Sequence, residues 1–125
     1  MAERAILVDD DSSIRETVAA ILDMEGYPVV TASNGLEALR MVEDAPPALV
    51  LLDMRMPVMD GWGFTRELQT RGIQLPVLVM TAAQNARRWA AEVGAAGFVA
   101  KPFDLSDLLD AVERLTRPDE SADER

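Results

Sequence analysis

Apolar positions along this chain follow two rhythms in turn. Continuous apolar runs of strand length, AILVD (5–9), YPVVTA (27–32), ALVLLDM (48–54), LPVLVMTA (75–82) and GFVAK (97–101), are separated by stretches of helical period. After the first run, Ile14, Val18, Ile21 and Leu22 share one face of a helix that Gly26 stops. SNG (33–35) caps a second helix striped by Leu36, Leu39 and Val42, which the breaker APP (45–47) ends. A Pro- and Gly-bearing loop, RMPVMDGWG (55–63), leads into a helix near 62–71 closed by Gly72, and a short helix is expected at about 85–93. The last helix starts at the N-cap candidate Asp104, carries Leu105, Leu108, Leu109, Val112 and Leu115, and ends before Pro118.

Strands and helices in strict alternation predict an α/β domain with a parallel sheet. Right-handed crossovers leave few topologies, of which the leading one is a flavodoxin-like doubly wound sheet with strand order 2-1-3-4-5. Pro28 places the second strand at an edge. The third run is apolar throughout and suits a central strand covered on both faces.

The chain's 125 residues fit one domain able to bury a real core. A net charge of −10 opposes a phosphate backbone, so direct nucleic-acid binding is not expected. With no cysteine and no histidine, there is no disulfide framework, thiolate metal site, imidazole base or phosphohistidine. Chemistry must run on carboxylates, hydroxyls and amines. The N-terminal apolar run is too short for a signal peptide, and no segment has the length of a membrane span, so a cytoplasmic protein without membrane insertion is expected.

In doubly wound sheets ligands bind outside the carboxyl ends of the strands. Those ends carry Asp9 and Asp10, Asp53, Thr81 and Lys101. Three carboxylates brought together in a partly buried place are costly without a cation, and a hard, all-oxygen donor set suits Mg2+. A threonine hydroxyl and a lysine ammonium facing that ion are the groups that hold and neutralise a phosphoryl oxygen. Asp53, at the centre, is then the natural nucleophile for an aspartyl phosphate. Taken alone, DDD (9–11) reads as a solvated helix start, and Asp11, Ser12 and Ser13 read as caps. Asp60 reads as a turn residue before Gly61.

From ILVDDD through LLDMRMPVMDG and VLVMTA to KPF, the chain resembles a response-regulator receiver domain of two-component signalling, of the stand-alone, chemotaxis-regulator-like kind. The resemblance covers residues 1–117, leaving 118–125 as a flexible C-terminal tail. It implies that Asp9 and Asp10 organise Mg2+, with Asp10, Asp53 and the backbone carbonyl of Arg55 as direct ligands. Asp53 would accept a phosphoryl group from a histidine kinase or histidine phosphotransfer protein, Thr81 and Lys101 would bind that group, and Lys101-Pro102 would be cis. The switch would draw Thr81 inward, with Phe98 following. Phenylalanine lacks the hydroxyl that tyrosine would bring, so that switch rests on packing alone. The implied protein modifies itself rather than turning over a separate substrate. It would signal to a downstream protein target, as a monomer or weak phosphorylation-dependent dimer.

Residues 81–94 are a couple shorter than is common in the family, which predicts a fourth helix that is trimmed or begins late. Arg87, Arg88 and Trp89 make that region basic and aromatic within an acidic chain, which suits either a partner contact or a solvated helix face. Arg55 and Ala83 flank the acceptor pocket, and Arg55 is a candidate for gripping the phosphoryl and altering its lifetime. Two other readings are disfavoured by the residues. A haloacid-dehalogenase-type phosphatase needs an acid two residues after the nucleophile, where Arg55 stands here. A pseudo-receiver would bind protein partners without phosphorylation.

Overall fold

The structure, a computed structural model, describes residues 4–116. The expected tail at 118–125 lies outside the described residues. Each apolar run becomes a strand and each periodic stretch a helix: β1 (Ala5–Val8), α1 (Ser12–Met24), β2 (Val29–Ala32), α2 (Gly35–Asp44), β3 (Leu49–Asp53), α3 (Gly61–Thr70), β4 (Val77–Ala82), α4 (Ala83–Val93), β5 (Gly97–Lys101) and α5 (Leu105–Thr116). The strands form one parallel sheet in the order β2-β1-β3-β4-β5, the predicted flavodoxin-like arrangement.

Alternation along each strand sorts side chains between two layers. Ile6, Val8, Val50, Leu52 and Val79 pack with Leu39 of α2, Phe64 of α3 and Trp89 of α4 on one face. Leu7, Leu49, Leu51, Leu78 and Met80 pack with Val18 and Leu22 of α1 and Leu108 and Val112 of α5 on the other. Both faces of the central strands are therefore covered, which explains why β3 is apolar from Leu49 to Leu52. At roughly 1.5–3 kcal/mol for each fully buried aliphatic side chain, these two layers supply the main driving force of folding.

Caps account for the helix starts. Asp11 accepts from the N–H groups of Ser13 and Ile14, and Asn34 accepts from Glu37 N–H. Asp60, expected only to shape a turn, is the N-cap of α3 and accepts from Gly63 N–H at 2.8 Å. Ser12 and Ser13 are the first residues of α1 rather than its cap. Gly61 is required by packing: a Cβ there would stand 2.6 Å from Met54 Sδ and 2.8 Å from Met54 Cα, so only glycine lets α3 begin against the end of β3.

Two expectations are corrected. The fourth helix does not begin late; α4 starts at Ala83, directly after β4, and has 11 residues. No residue separates β4 from α4. Ala82, Ala83 and Ala86 offer no stop signal and favour helix, so the helix propagates back to the strand end. Leu105, assigned to the α5 stripe, is 51% exposed, because the buried face of that helix runs through Leu108, Ala111 and Val112.

Candidate functional site

The carboxyl ends of β1, β3, β4 and β5 form one crevice, for a reason internal to the topology. Parallel strands all finish at the same edge of the sheet, and β1 and β3 are hydrogen-bonded neighbours. Asp9 and Asp10 therefore emerge beside Asp53, and one carboxylate oxygen from each lies within 4.8 Å of the others. Asp9 and Asp53 are buried, whereas Asp10 is exposed. Thr81, also buried, stands on β4 one residue beyond Met80, the register partner of Asp53.

Lys101 is the only cation that ion-pairs with these carboxylates among the described residues. Its Nζ lies 2.9 Å from Asp9 Oδ2 and 3.6 Å from Asp53 Oδ1. The remaining Asp9 oxygen, Oδ1, accepts from the Asp11 N–H at 2.9 Å, and the Asp9 carbonyl accepts from Arg15 Nη1 at 2.7 Å. Asp9 is thus pinned on three sides. Asp53 is less well compensated. Burial raises its carboxyl from the ordinary 3.8 to about 6, the Asp9 and Asp10 charges push the same way, and Lys101 and the Arg55 backbone N–H only partly oppose them. For Lys101, burial opposes protonation, but the hydrogen bond to Asp9 and the nearby Asp53 and Asp9 charges outweigh it and raise its pKa.

One ammonium cannot neutralise three carboxylates, so the donor set carries an excess of negative charge that a divalent cation offsets. The donors are hard oxygens, as Mg2+ prefers, and among the described residues they belong to the one group of acidic side chains close enough to share an ion. The residues present fit the ion.

Across residues 5–113 the sequence matches the family described as the response regulator receiver domain. The chain belongs to the response-regulator receiver family. Similar curated proteins include the response regulator MprA of Mycobacterium sp. (strain KMS), 39% identical over 98% of this chain, and that of Mycobacterium leprae (strain TN), 41% identical over 96%. This receiver spans about half the length of those relatives, 56% and 55%. Among solved structures it is similar to chemotaxis protein CheY4 of Vibrio cholerae, with a TM-score of 0.81 and 32% identity over 92% of this chain and 99% of that one. It is also similar to the receiver domain of NtrX from Brucella abortus, with a TM-score of 0.81 and 33% identity over 90% of this chain and 97% of that one. Receiver membership makes this a phosphorylation-based signalling module. No helix among the described residues is long and apolar enough to cross a membrane.

The structure gathers Asp9, Asp10, Asp53 and Lys101 at one point and sets Thr81 on the neighbouring strand end. The Lys101-Pro102 bond is cis, as expected. Phe98 lies away from this point: it is 39% exposed on β5, with the Arg87 guanidinium 5.7 Å from its ring centre. The Arg55 side chain is likewise turned elsewhere, lying 5.9 Å from the ring centre of Trp89 on α4.

Two features of the site were missed in the sequence. One is Arg15, which holds the Asp9 carbonyl. The other is the contact between the two tryptophans, Trp62 and Trp89, whose rings meet edge-on with centres 4.9 Å apart. Arg15 stands six residues after Asp9, about one turn into α1, and that offset was the available signal. No sequence spacing links the tryptophans.

Proposed function

We propose that this receiver accepts a phosphoryl group on Asp53, from the phosphohistidine of a histidine kinase or histidine phosphotransfer protein, in a Mg2+-dependent reaction. The observation that carries the reading is the convergence of three carboxylates, one partly buried ammonium and one buried threonine on a single crevice, with Asp53 raised to about 6 by burial and its acidic neighbours. Asp10, Asp53 and the backbone carbonyl of Arg55 would hold the ion directly, with Asp9 orienting it. Bound there, Mg2+ neutralises the carboxylates and draws charge from the phosphoryl oxygens.

Asp53 is ionised at neutral pH and poorly solvated, which suits a nucleophile. Its carboxylate oxygen adds to phosphorus in line with the departing histidine nitrogen, the N–P bond breaks, and the imidazole leaves with the bonding pair. Lys101, already 3.6 Å from Asp53, pairs with a phosphoryl oxygen, and the Thr81 hydroxyl donates to another. Thr81 moving inward leaves room that the half-exposed Phe98 fills, which changes the outer surface and hence the affinity for a downstream protein. The chain acts as a signal carrier in the cytoplasm, catalysing only its own phosphorylation and dephosphorylation.

Intact-mass spectrometry after incubation with acetyl phosphate tests the reading. One phosphoryl is expected on the wild type with Mg2+, none after chelation, and none on Asp53→Asn. Failure of the wild type to take up phosphoryl from acetyl phosphate and from phosphorylated kinase would leave a phosphorylation-independent protein-binding module.

A further inference from the structure

Arg55 stands two residues after the acceptor, and its backbone N–H donates to the Asp53 carboxylate, yet among the described residues no ion pair joins its guanidinium to that carboxylate. The guanidinium instead lies over Trp89. That indole is a fixed platform. It is buried in the layer formed by α2, α3 and α4, it meets Trp62 edge-on, and Trp62 is itself tied to α4 by its Nε1–H donating to Glu92 Oε1 at 3.0 Å. Arg55, by contrast, is exposed. The helix that carries Trp89 follows β4 directly, a single residue, Ala82, separating Thr81 from the first residue of α4.

We propose that Trp89 is a positioning residue for Arg55: its ring holds the guanidinium away from the acceptor and competes with the phosphoryl group for it, thereby setting the lifetime of the aspartyl phosphate. This inference rests on the phosphorylation of Asp53 argued above. A phosphoryl on Asp53 brings close to two negative charges and three acceptor oxygens within reach of Arg55. A bidentate, charge-assisted pair at an exposed position competes with the cation–π contact, so the guanidinium divides between the phosphoryl and the indole. Over the phosphoryl it obstructs hydrolysis, in which water adds to phosphorus and the bond from phosphorus to the Asp53 oxygen breaks. The pair of that bond returns to the carboxylate, while the water's proton goes to solvent. The same movement releases the contact between the acceptor loop and α4, so lifetime and α4 position change together.

The test is a double-mutant cycle on the decay rate, with the protein loaded from acetyl phosphate and Mg2+, stripped of donor, and followed by intact mass. Trp89→Leu is expected to lengthen the half-life about two- to fivefold, the range set by one exposed cation–π contact. Arg55→Met is expected to shorten it, and the double variant to match Arg55→Met alone. Trp89→Phe, which keeps a ring and most of the buried volume, is expected to fall between wild type and Trp89→Leu. In the unphosphorylated protein the Arg55 side-chain resonances should carry a ring-current shift that Trp89→Leu removes and that beryllofluoride, a phosphoryl mimic, reduces. Normal loading with a Trp89→Leu effect that persists in the Arg55→Met background overturns this inference alone. Absence of loading in the wild type overturns the phosphorylation reading and this inference with it.

Discussion

Leu52 and Asp53 are neighbours on β3, and they sit on either side of a boundary between two regimes. Leu52 is wholly inaccessible and surrounded by close-packed apolar side chains, so everything about its position lowers the free energy of the fold. Asp53 is nearly as buried, yet it faces two other carboxylates and receives only partial compensation from Lys101. One residue apart, the strand passes from maximal stability to stored electrostatic cost. The cost is confined to the edge of the sheet, where a cation or a phosphoryl group can reach it.

The sharpest way to separate the two regimes is Asp53→Asn. Phosphoryl uptake is expected to vanish, while the metal-free fold at pH 7 is expected to gain up to about 2–3 kcal/mol because a neutral amide escapes the penalty that raises the acceptor's pKa. Urea unfolding beside mass spectrometry reads both; a loss of stability would mean that the carboxylate is well compensated after all. Leu52→Ala should do the reverse. It is expected to cost about 2–5 kcal/mol in the same unfolding assay, with each molecule that remains folded still taking up phosphoryl.

Titration sharpens the comparison without a mutation. The folded-state pKa of Asp53 lies above its ordinary value, so the stability associated with its protonation is fully present below about 3.8 and is lost as pH rises through about 6. Metal-free protein should therefore gain stability from this group, by about 2–3 kcal/mol in all, as pH falls from 7 towards 4. Asp53→Asn should remove that component of the slope. Mg2+ favours the ionised form, so at a hundredfold excess over its Kd it should stabilise the protein at pH 7 by about 2.7 kcal/mol and flatten the same component. A pH profile of thermal unfolding that is identical in wild type and Asp53→Asn would show that the edge carries no such cost.

The smallest expected effect lies in the loop leaving the acceptor. Val58 has φ of 72° at the centre of a tight turn closed by Met59 N–H donating to the Pro57 carbonyl at 2.8 Å. A β-branched side chain is strained there. Val58→Gly is expected to stabilise by about 1 kcal/mol, relief of strain outweighing the added freedom of the unfolded chain. An unchanged or lower unfolding midpoint would show that the turn is relaxed with valine.

The sheet and its site were legible because two simple signals coincided. Apolar runs marked the strands, and the polar residues ending those runs, Asp9, Asp53, Thr81 and Lys101, were placed together by the rule that parallel strands finish at one edge. Where a signal was weaker than its competitor, the sequence misled. Fewer residues after Thr81 suggested a late α4, but alanine's helix preference starts the helix directly after β4. Leu105 fitted a helical stripe, yet the arc that α5 buries stops short of it.

By itself, then, the sequence determined the strand and helix order, the parallel sheet, the acidic crevice and the family, since periodicity, chain order and residue type are all written in one dimension. Only the tertiary structure decided that Lys101 pairs more closely with Asp9 than with Asp53, that Phe98 faces outward beneath Arg87, and that Arg55 rests on Trp89 rather than on Asp53. These depend on rotamer choices among long, flexible side chains, which are settled by which charges and rings happen to be adjacent once distant segments have packed, and no local pattern encodes that.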